Sequence, residues 1–211
     1  MLVTVGEGSS NRVNSPSGSN MHGSPLTRRF PGILFNHPDL AIYIDRAVAT
    51  RSLDLSGGQI AEDVSYIVEY MESKQLMNFQ TFNFSSCQLT QEALDGLVRI
   101  AIEQGQLETF VVSDNRLPKG AGHALSKLLG ARGTLKVLEA SHNLLGDVGL
   151  ASIAGAFSSD LTSLHLAAQG PGISSIPLLA LSRLTLCVLD LSNNGNTHTR
   201  ITTPTHHPVL S

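Results

Sequence analysis

The sequence predicts an α/β fold in which about six short parallel strands alternate with helical segments in stacked repeats. Three observations lead to this prediction. An apolar-x-apolar motif followed by a small residue recurs six times, its copies start 25 to 29 residues apart, and helical spacing of apolar residues follows the first four copies. A fixed period of this size is typical of proteins in which each unit buries its apolar face against the next.

The six motifs define six repeats, one to six in chain order. Within each motif apolar and other residues alternate, which is the pattern of a strand with one buried face. With no Trp and only 5% aromatic residues, we expect a mainly aliphatic core. The motifs begin at Leu53, Phe82, Phe110, Leu138, Leu164 and Leu189.

A second column of residues lies five positions after each motif start. It reads Gly58, Cys87, Asn115, Asn143, Gln169 and Asn194. A polar side chain here is expected to turn inward and to bond loop backbone that burial would otherwise leave unsatisfied. We expect Cys87, Asn115, Asn143 and Asn194 to form this structural ladder, with the least regular loops at Gly58 and Gln169.

The helical signal follows each strand in repeats one to four. Apolar or small residues recur at +4, +7, +8 and +11 from Ile60, Leu89, Leu117 and Leu145, which is one face of a helix. Thr90 and Asp147 provide side chains suited to helix starts. In repeat five, Pro177 and the Gly-Pro-Gly of 170–172 predict a shorter or 3₁₀-like segment.

These columns resemble the leucine-rich repeat, L-x-x-L-x-L-x-x-N/C-x-L. The resemblance covers residues 53–196 in six copies, and the unit of about 28 residues is similar to the cytosolic, ribonuclease-inhibitor-type subfamily. It implies a solenoid with a curved parallel sheet on the concave side and helices on the convex side.

The ends differ from the repeats in composition. We divide the chain into a disordered Ser/Gly/Pro-rich head (1–27), an N-terminal helical cap (28–52), the repeats (53–196) and an irregular tail (197–211). Without a strand pattern in the tail, the sixth strand would be an open edge. Three alternatives follow: the tail folds back weakly, a partner or second copy covers the edge, or the chain is a fragment of a longer array.

The outward positions between the two apolar residues of each motif are the candidate partner-binding residues on the concave face. This face is mostly small and polar, without aromatic residues, so it indicates a shallow, mildly acidic groove for a polar or basic protein. The alternative is an ordinary solvated sheet face. The candidate residues are Asp54, Asn83, Val111, Glu139, His165 and Asp190.

Charge and hydropathy narrow the class of partner. The net charge is −3, from 14 Lys and Arg against 17 Asp and Glu, which excludes a strongly basic nucleic-acid binder. The repeats carry −6, with basic flanks of +2 in 1–52 and +1 at Arg200. The sequence shows no signal peptide and no apolar run long enough for a membrane span, so we expect a cytoplasmic protein without a membrane partner.

The sequence predicts no catalytic site, metal site or cofactor. The recurring serines are explained by the repeat, and no His and carboxylate are placed beside them to activate a nucleophile. His142 and His165 lie in adjacent repeats near Glu139, but a metal site would need three or more convergent ligands, which we do not expect there. Cys87 and Cys187 are expected to lie about 19 Å apart, four strand spacings, so both should be free thiols.

The leading functional hypothesis is a non-catalytic scaffold that binds another protein through the concave face. An alternative is a regulator of a small GTPase of the GTPase-activating type, with Arg51 or Arg116 assisting hydrolysis. The resemblance also allows a regulator of actin filament capping. A structural fragment without an independent role is the remaining possibility. Self-association through the open sixth strand is a further expectation, and the partner's identity is not predicted.

Overall fold

The computed structural model describes residues 37–131, 134–156, 160–171, 173–174, 177, 180–181, 186–194 and 200–202. The predicted head lies outside these residues, as does most of the convex segment of repeat five. The elements are α1 (His37–Thr50), β1 (Ser52–Asp54), α2 (Val64–Ser73), β2 (Thr81–Asn83), α3 (Gln91–Glu103), β3 (Thr109–Val111), α4 (Ala121–Gly130), β4 (Val137–Glu139), α5 (Gly146–Gly155), β5 (Ser163–His165), β6 (Val188–Asp190) and β7 (Arg200–Thr202).

One sheet contains the seven strands of the described residues in chain order, and β1 to β6 are parallel. The predicted α/β architecture, with a parallel sheet that alternates with helices, is therefore confirmed. The first apolar residues of the six motifs are register partners of one another, from Leu53 in β1 to Leu189 in β6. Each of these middle residues is buried between two half-buried neighbours.

The helices after the first four strands bury most of the residues that the helical spacing indicated. The exceptions are Gly96, Ser152 and Ala156, which are only partly buried, and Ala156 lies just beyond the end of α5. In α2 the buried residues are Val64, Ile67, Val68 and Met71, which are the +4, +7, +8 and +11 positions. They join the buried strand residues in one hydrophobic core. The core is mostly aliphatic, as expected, but repeats two and three contribute four buried phenylalanines in mutual ring contact: Phe79, Phe82, Phe84 and Phe110.

Thr90 stabilises the start of α3, and Gly122 and Gly149 allow α4 and α5 to pack closely. Thr90 caps α3, with its Oγ1 accepting the N–H of Ala93 at 3.1 Å, as the sequence predicted. Helices α4 and α5 approach so closely that a Cβ added at Gly122 would lie 2.3 Å from the Cα of Gly149. A side chain at this position would therefore push the two helices apart.

The two edge strands of the parallel sheet are covered in different ways. Helix α1, in the segment predicted as a cap, packs on β1. Its Tyr43 hydroxyl donates to the backbone carbonyl of Asp54 at 2.9 Å. At the other edge, β7 pairs antiparallel with β6. Residues 200–202 thus differ from the irregular tail expected there. Of the three alternatives, this arrangement corresponds to a tail that folds back.

Candidate functional site

The face of the sheet opposite the core is the candidate site, and we call it the open face. Its central row consists of the six predicted partner-binding residues, which the register of β1 to β6 places side by side. All are half-buried. At about 4.8 Å between neighbouring strands, this row is about 24 Å long. In strand order it contains Asp54, Asn83, Val111, Glu139, His165 and Asp190.

Three central-row side chains also shape the turns at their strand ends. The Oδ1 atoms of Asp54, Asn83 and Asp190 accept the backbone N–H two residues later, at 3.0 to 3.1 Å. This is the local bond that makes Asp and Asn favourable at turns. These three residues therefore have a structural role besides any contact with a partner.

The rest of the open face is small and uncharged. One flanking row reads Ser52, Thr81, Thr109, Val137, Ser163 and Val188, and the other reads Ser56, Ser85, Ser113, Ser141, Ala167 and Ser192. In the second row Ser56, Ser113 and Ala167 are buried. The eighteen positions of the three rows include three carboxylates and no Lys, Arg or aromatic residue. The face can therefore offer hydrogen bonds and negative charge, but little apolar anchoring.

Beneath the strand ends, the predicted ladder residues link neighbouring repeats. Asn115 Oδ1 accepts the N–H of Cys87 and of Leu89 in the preceding repeat, at 2.9 and 3.1 Å. Asn143 Oδ1 accepts the N–H of Asn115 and of Leu117 in the same way, at 3.2 and 3.0 Å. Their Nδ2 atoms donate to strand-end carbonyls. The strand ends are consequently held by buried hydrogen bonds.

The ends of this ladder use the same chemistry with other atoms. Cys87 replaces the amide with a thiol, whose Sγ donates to the carbonyl of Leu55 at 3.1 Å. Asn194 Oδ1 accepts the N–H of Gln169 at 2.7 Å, and its Nδ2 donates to the carbonyl of Leu166. Ladder bonds of this kind are thus present at both ends, in repeats two and six.

Gln169 interrupts the ladder between repeats four and five. Its Nε2 donates to the carbonyls of Ala140 and Ala167, at 2.7 and 3.2 Å. Its Oε1 is buried and has no hydrogen-bond partner, whereas the equivalent oxygen of Asn143 accepts two N–H groups. The extra methylene group of Gln therefore carries the oxygen away from the position that the ladder requires.

The sequence did not reveal a backbone feature that all six repeats share. The residue four positions after each motif start has φ between 53° and 75°, in the left-handed region, where a side chain is unfavourable. The Gly, Asp, Asn and His members are residue types enriched in this conformation, whereas Ser86 and Ala168 are not. The residues are Gly57, Ser86, Asp114, His142, Ala168 and Asn193.

The two arginines named for GTPase activation do not come together. Arg51 precedes β1 and Arg116 follows β3. Because these strands are parallel, Arg51 lies at the N-terminal ends of the strands and Arg116 lies at their C-terminal ends. Both are exposed and have left-handed backbones, with φ of 54° and 55°.

The two cysteines lie in different environments and neither forms a disulfide. Cys87 is buried, and this burial raises the pKa of its thiol to about 12, whereas Cys187 is exposed. Among the described residues, no group of three or more His, Cys, Asp or Glu is placed to hold a metal ion. In the same part of the chain, no helix is both long and apolar enough to cross a membrane.

Comparison with family models and with curated proteins identifies no relative. The strand register and the ladder therefore remain the basis for assigning a function.

Proposed function

We propose that this protein is a non-catalytic interaction scaffold of the leucine-rich-repeat type, and that its open face, the concave side of the solenoid, binds another protein. One observation carries this proposal. Six side chains from six successive repeats lie in a single row on a sheet face that the helices leave uncovered. A row of this kind offers a long surface whose residues can vary without altering the core.

The repeat assignment is supported by agreement between period and packing. Motifs 25 to 29 residues apart in sequence are direct neighbours in the sheet. The Asn column that distinguishes this repeat pattern makes buried bonds between repeats. We propose the ribonuclease-inhibitor-type subfamily because helices α2 to α5 follow the first four strands. Two unpaired cysteines fit the cytoplasmic location that we propose.

A binding role is also supported by what the strand-end serines do. Ser85 Oγ donates to Asn83 Oδ1 at 2.8 Å. Ser141 Oγ accepts the N–H of Ala167 in the next repeat at 3.1 Å. Both hydroxyls are thus engaged in turns and inter-repeat contacts, which favours a structural rather than a nucleophilic role.

Crosslinking in native cells, followed by mass spectrometry, tests this proposal. Val111→Arg places a large cation in the middle of the central row, and Ile102→Arg places the same group on the exposed side of α3. We expect Val111→Arg to reduce partner crosslinks at least tenfold and Ile102→Arg to leave them within twofold of wild type. Loss of the crosslinks in Ile102→Arg alone would assign the binding surface to the helices instead.

A further inference from the structure

The central row contains a carboxylate whose surroundings do not balance its charge. Glu139 is half-buried, with Val111 and His165 as its register neighbours. Within the described part of the chain, its side chain makes no hydrogen bond and no ion pair. Partial removal of a carboxylate from water costs free energy unless a partner compensates it, so a cation at this position would be favourable.

Two other surface carboxylates, Glu72 and Glu108, have such partners. Glu72 pairs with Arg99, which links α2 to α3. Glu108 pairs with Lys136 at 2.9 Å, at the strand ends that precede β3 and β4. The eighteen positions of the open face that belong to β1 to β6 and their strand ends include no Lys or Arg.

The separation between Glu139 and a second carboxylate of the central row, Asp54, defines how far apart two cations on a ligand should be. Asp54 is in β1 and Glu139 is in β4, three strand spacings away, so they are about 14 Å apart. In an extended peptide, residues i and i+4 point to the same side and are also about 14 Å apart. Asp190, the third carboxylate of the row, differs from these two in having an arginine, Arg200 of β7, as its register partner.

We propose that the open face binds an extended cationic segment of its protein partner, with Lys or Arg side chains four residues apart on Asp54 and Glu139. This inference rests on the function proposed above and specifies the chemistry of the partner. The residue midway between the two cations lies over Asn83 and Val111, where a small side chain fits best. Specificity comes from charge and spacing, because the face has no aromatic anchor.

Two isomeric peptides test the spacing. Both are fluorescein-labelled nonamers of Ser and Ala with two arginines, at the third and seventh positions in one and at the third and fourth positions in the other. Fluorescence anisotropy with the full chain at 50 mM salt should show at least threefold tighter binding of the spaced isomer. This difference should shrink as the salt concentration rises, since both contacts are solvent-accessible.

Charge-removing variants identify the residues. Glu139→Gln should abolish the preference for the spaced isomer, whereas Glu92→Gln, an exposed carboxylate on α3, should preserve it. Asp54→Asn is a second test that keeps the turn, because the amide oxygen can still accept the N–H of Ser56. Equal binding of the isomers to the wild-type chain, or equal losses in Glu139→Gln and Glu92→Gln, would overturn the inference.

The cellular crosslinking experiment separates this inference from the proposal beneath it. If the isomers bind equally but Val111→Arg still removes the partner crosslinks, the cationic segment is wrong and the scaffold remains. If Val111→Arg also has no effect, both are wrong.

Discussion

Repeats two to four differ from repeat five in how completely each is bonded to its neighbours. In repeats three and four, the Oδ1 atoms of Asn115 and Asn143 each accept two backbone N–H groups. A helix follows each strand of repeats two to four. In repeat five, Gln169 leaves its Oε1 buried and unpartnered. Strand pairing nevertheless continues unchanged from β4 through β5 to β6. The parallel register therefore tolerates a defect in the ladder beneath it.

Asn143→Ala should cause the largest loss of stability, about 3 to 4 kcal/mol, because it leaves buried N–H and carbonyl groups of two repeats unsatisfied. Gln169→Ala should cost less, about 2 kcal/mol, since its oxygen makes no bond. Urea denaturation followed by circular dichroism measures both. Equal losses would mean that the two positions contribute alike and that the comparison fails.

The second prediction concerns the close contact between α4 and α5 at Gly122 and Gly149. Gly122→Ala should destabilise the fold by about 2 to 3 kcal/mol, because its Cβ would meet the backbone of Gly149. Gly96→Ala on α3 is the matched control. There the Cβ would make ordinary contacts of 3.5 Å with Val64 and Val68, so the higher helix propensity of Ala should stabilise by about 0.5 kcal/mol. The thermal midpoints of the two variants should shift in opposite directions.

Gln169→Asn should repair the defect. The shorter side chain brings its oxygen back to the position that Asn143 occupies in the preceding repeat, where it can accept N–H groups of repeat four. We expect a gain of about 1 kcal/mol in the free energy of unfolding. Hydrogen exchange should slow at Asn143 and Leu145, and unchanged exchange there would show that the loop does not adopt the regular geometry.

The smallest expected effect concerns the bond that joins α5 to repeat five. Asp147 Oδ1 accepts the N–H of Ser174 at 2.8 Å, and hydrogen bonds from Ser174 lower the pKa of this carboxyl below its ordinary value of 3.8. A lowered folded-state pKa means that this stabilisation is present above pH 3.8 and is lost as the pH falls through the folded-state value. The midpoints of wild type and Asp147→Asn should therefore differ slightly at pH 6 and converge as the pH falls through the folded-state pKa of Asp147.

Strand register and the central row could be predicted because two strong patterns coincide. Period-two alternation assigns Leu53 and its counterparts to the core, and a repeated Asn needs a repeated buried partner. Strand β7 could not be predicted, because three residues that pair through their backbone need no apolar alternation. The contact between Gly122 and Gly149 depends on the distance between α4 and α5, which composition does not encode. The orphaned Oε1 of Gln169 follows from a single methylene group, although the sequence had indicated an irregular loop there.

The left-handed residue that follows each strand has a consequence for which sequences this chain tolerates. Ser86, Asp114 and His142 are outside the hydrophobic core, where most substitutions are neutral, yet their φ of 56° to 59° disfavours Val, Ile and Thr. A map of tolerated substitutions over the whole chain should therefore show β-branched residues excluded at one position per repeat. The positions that exclude these residues would then recur every 25 to 29 residues, although the residues found there share no common type.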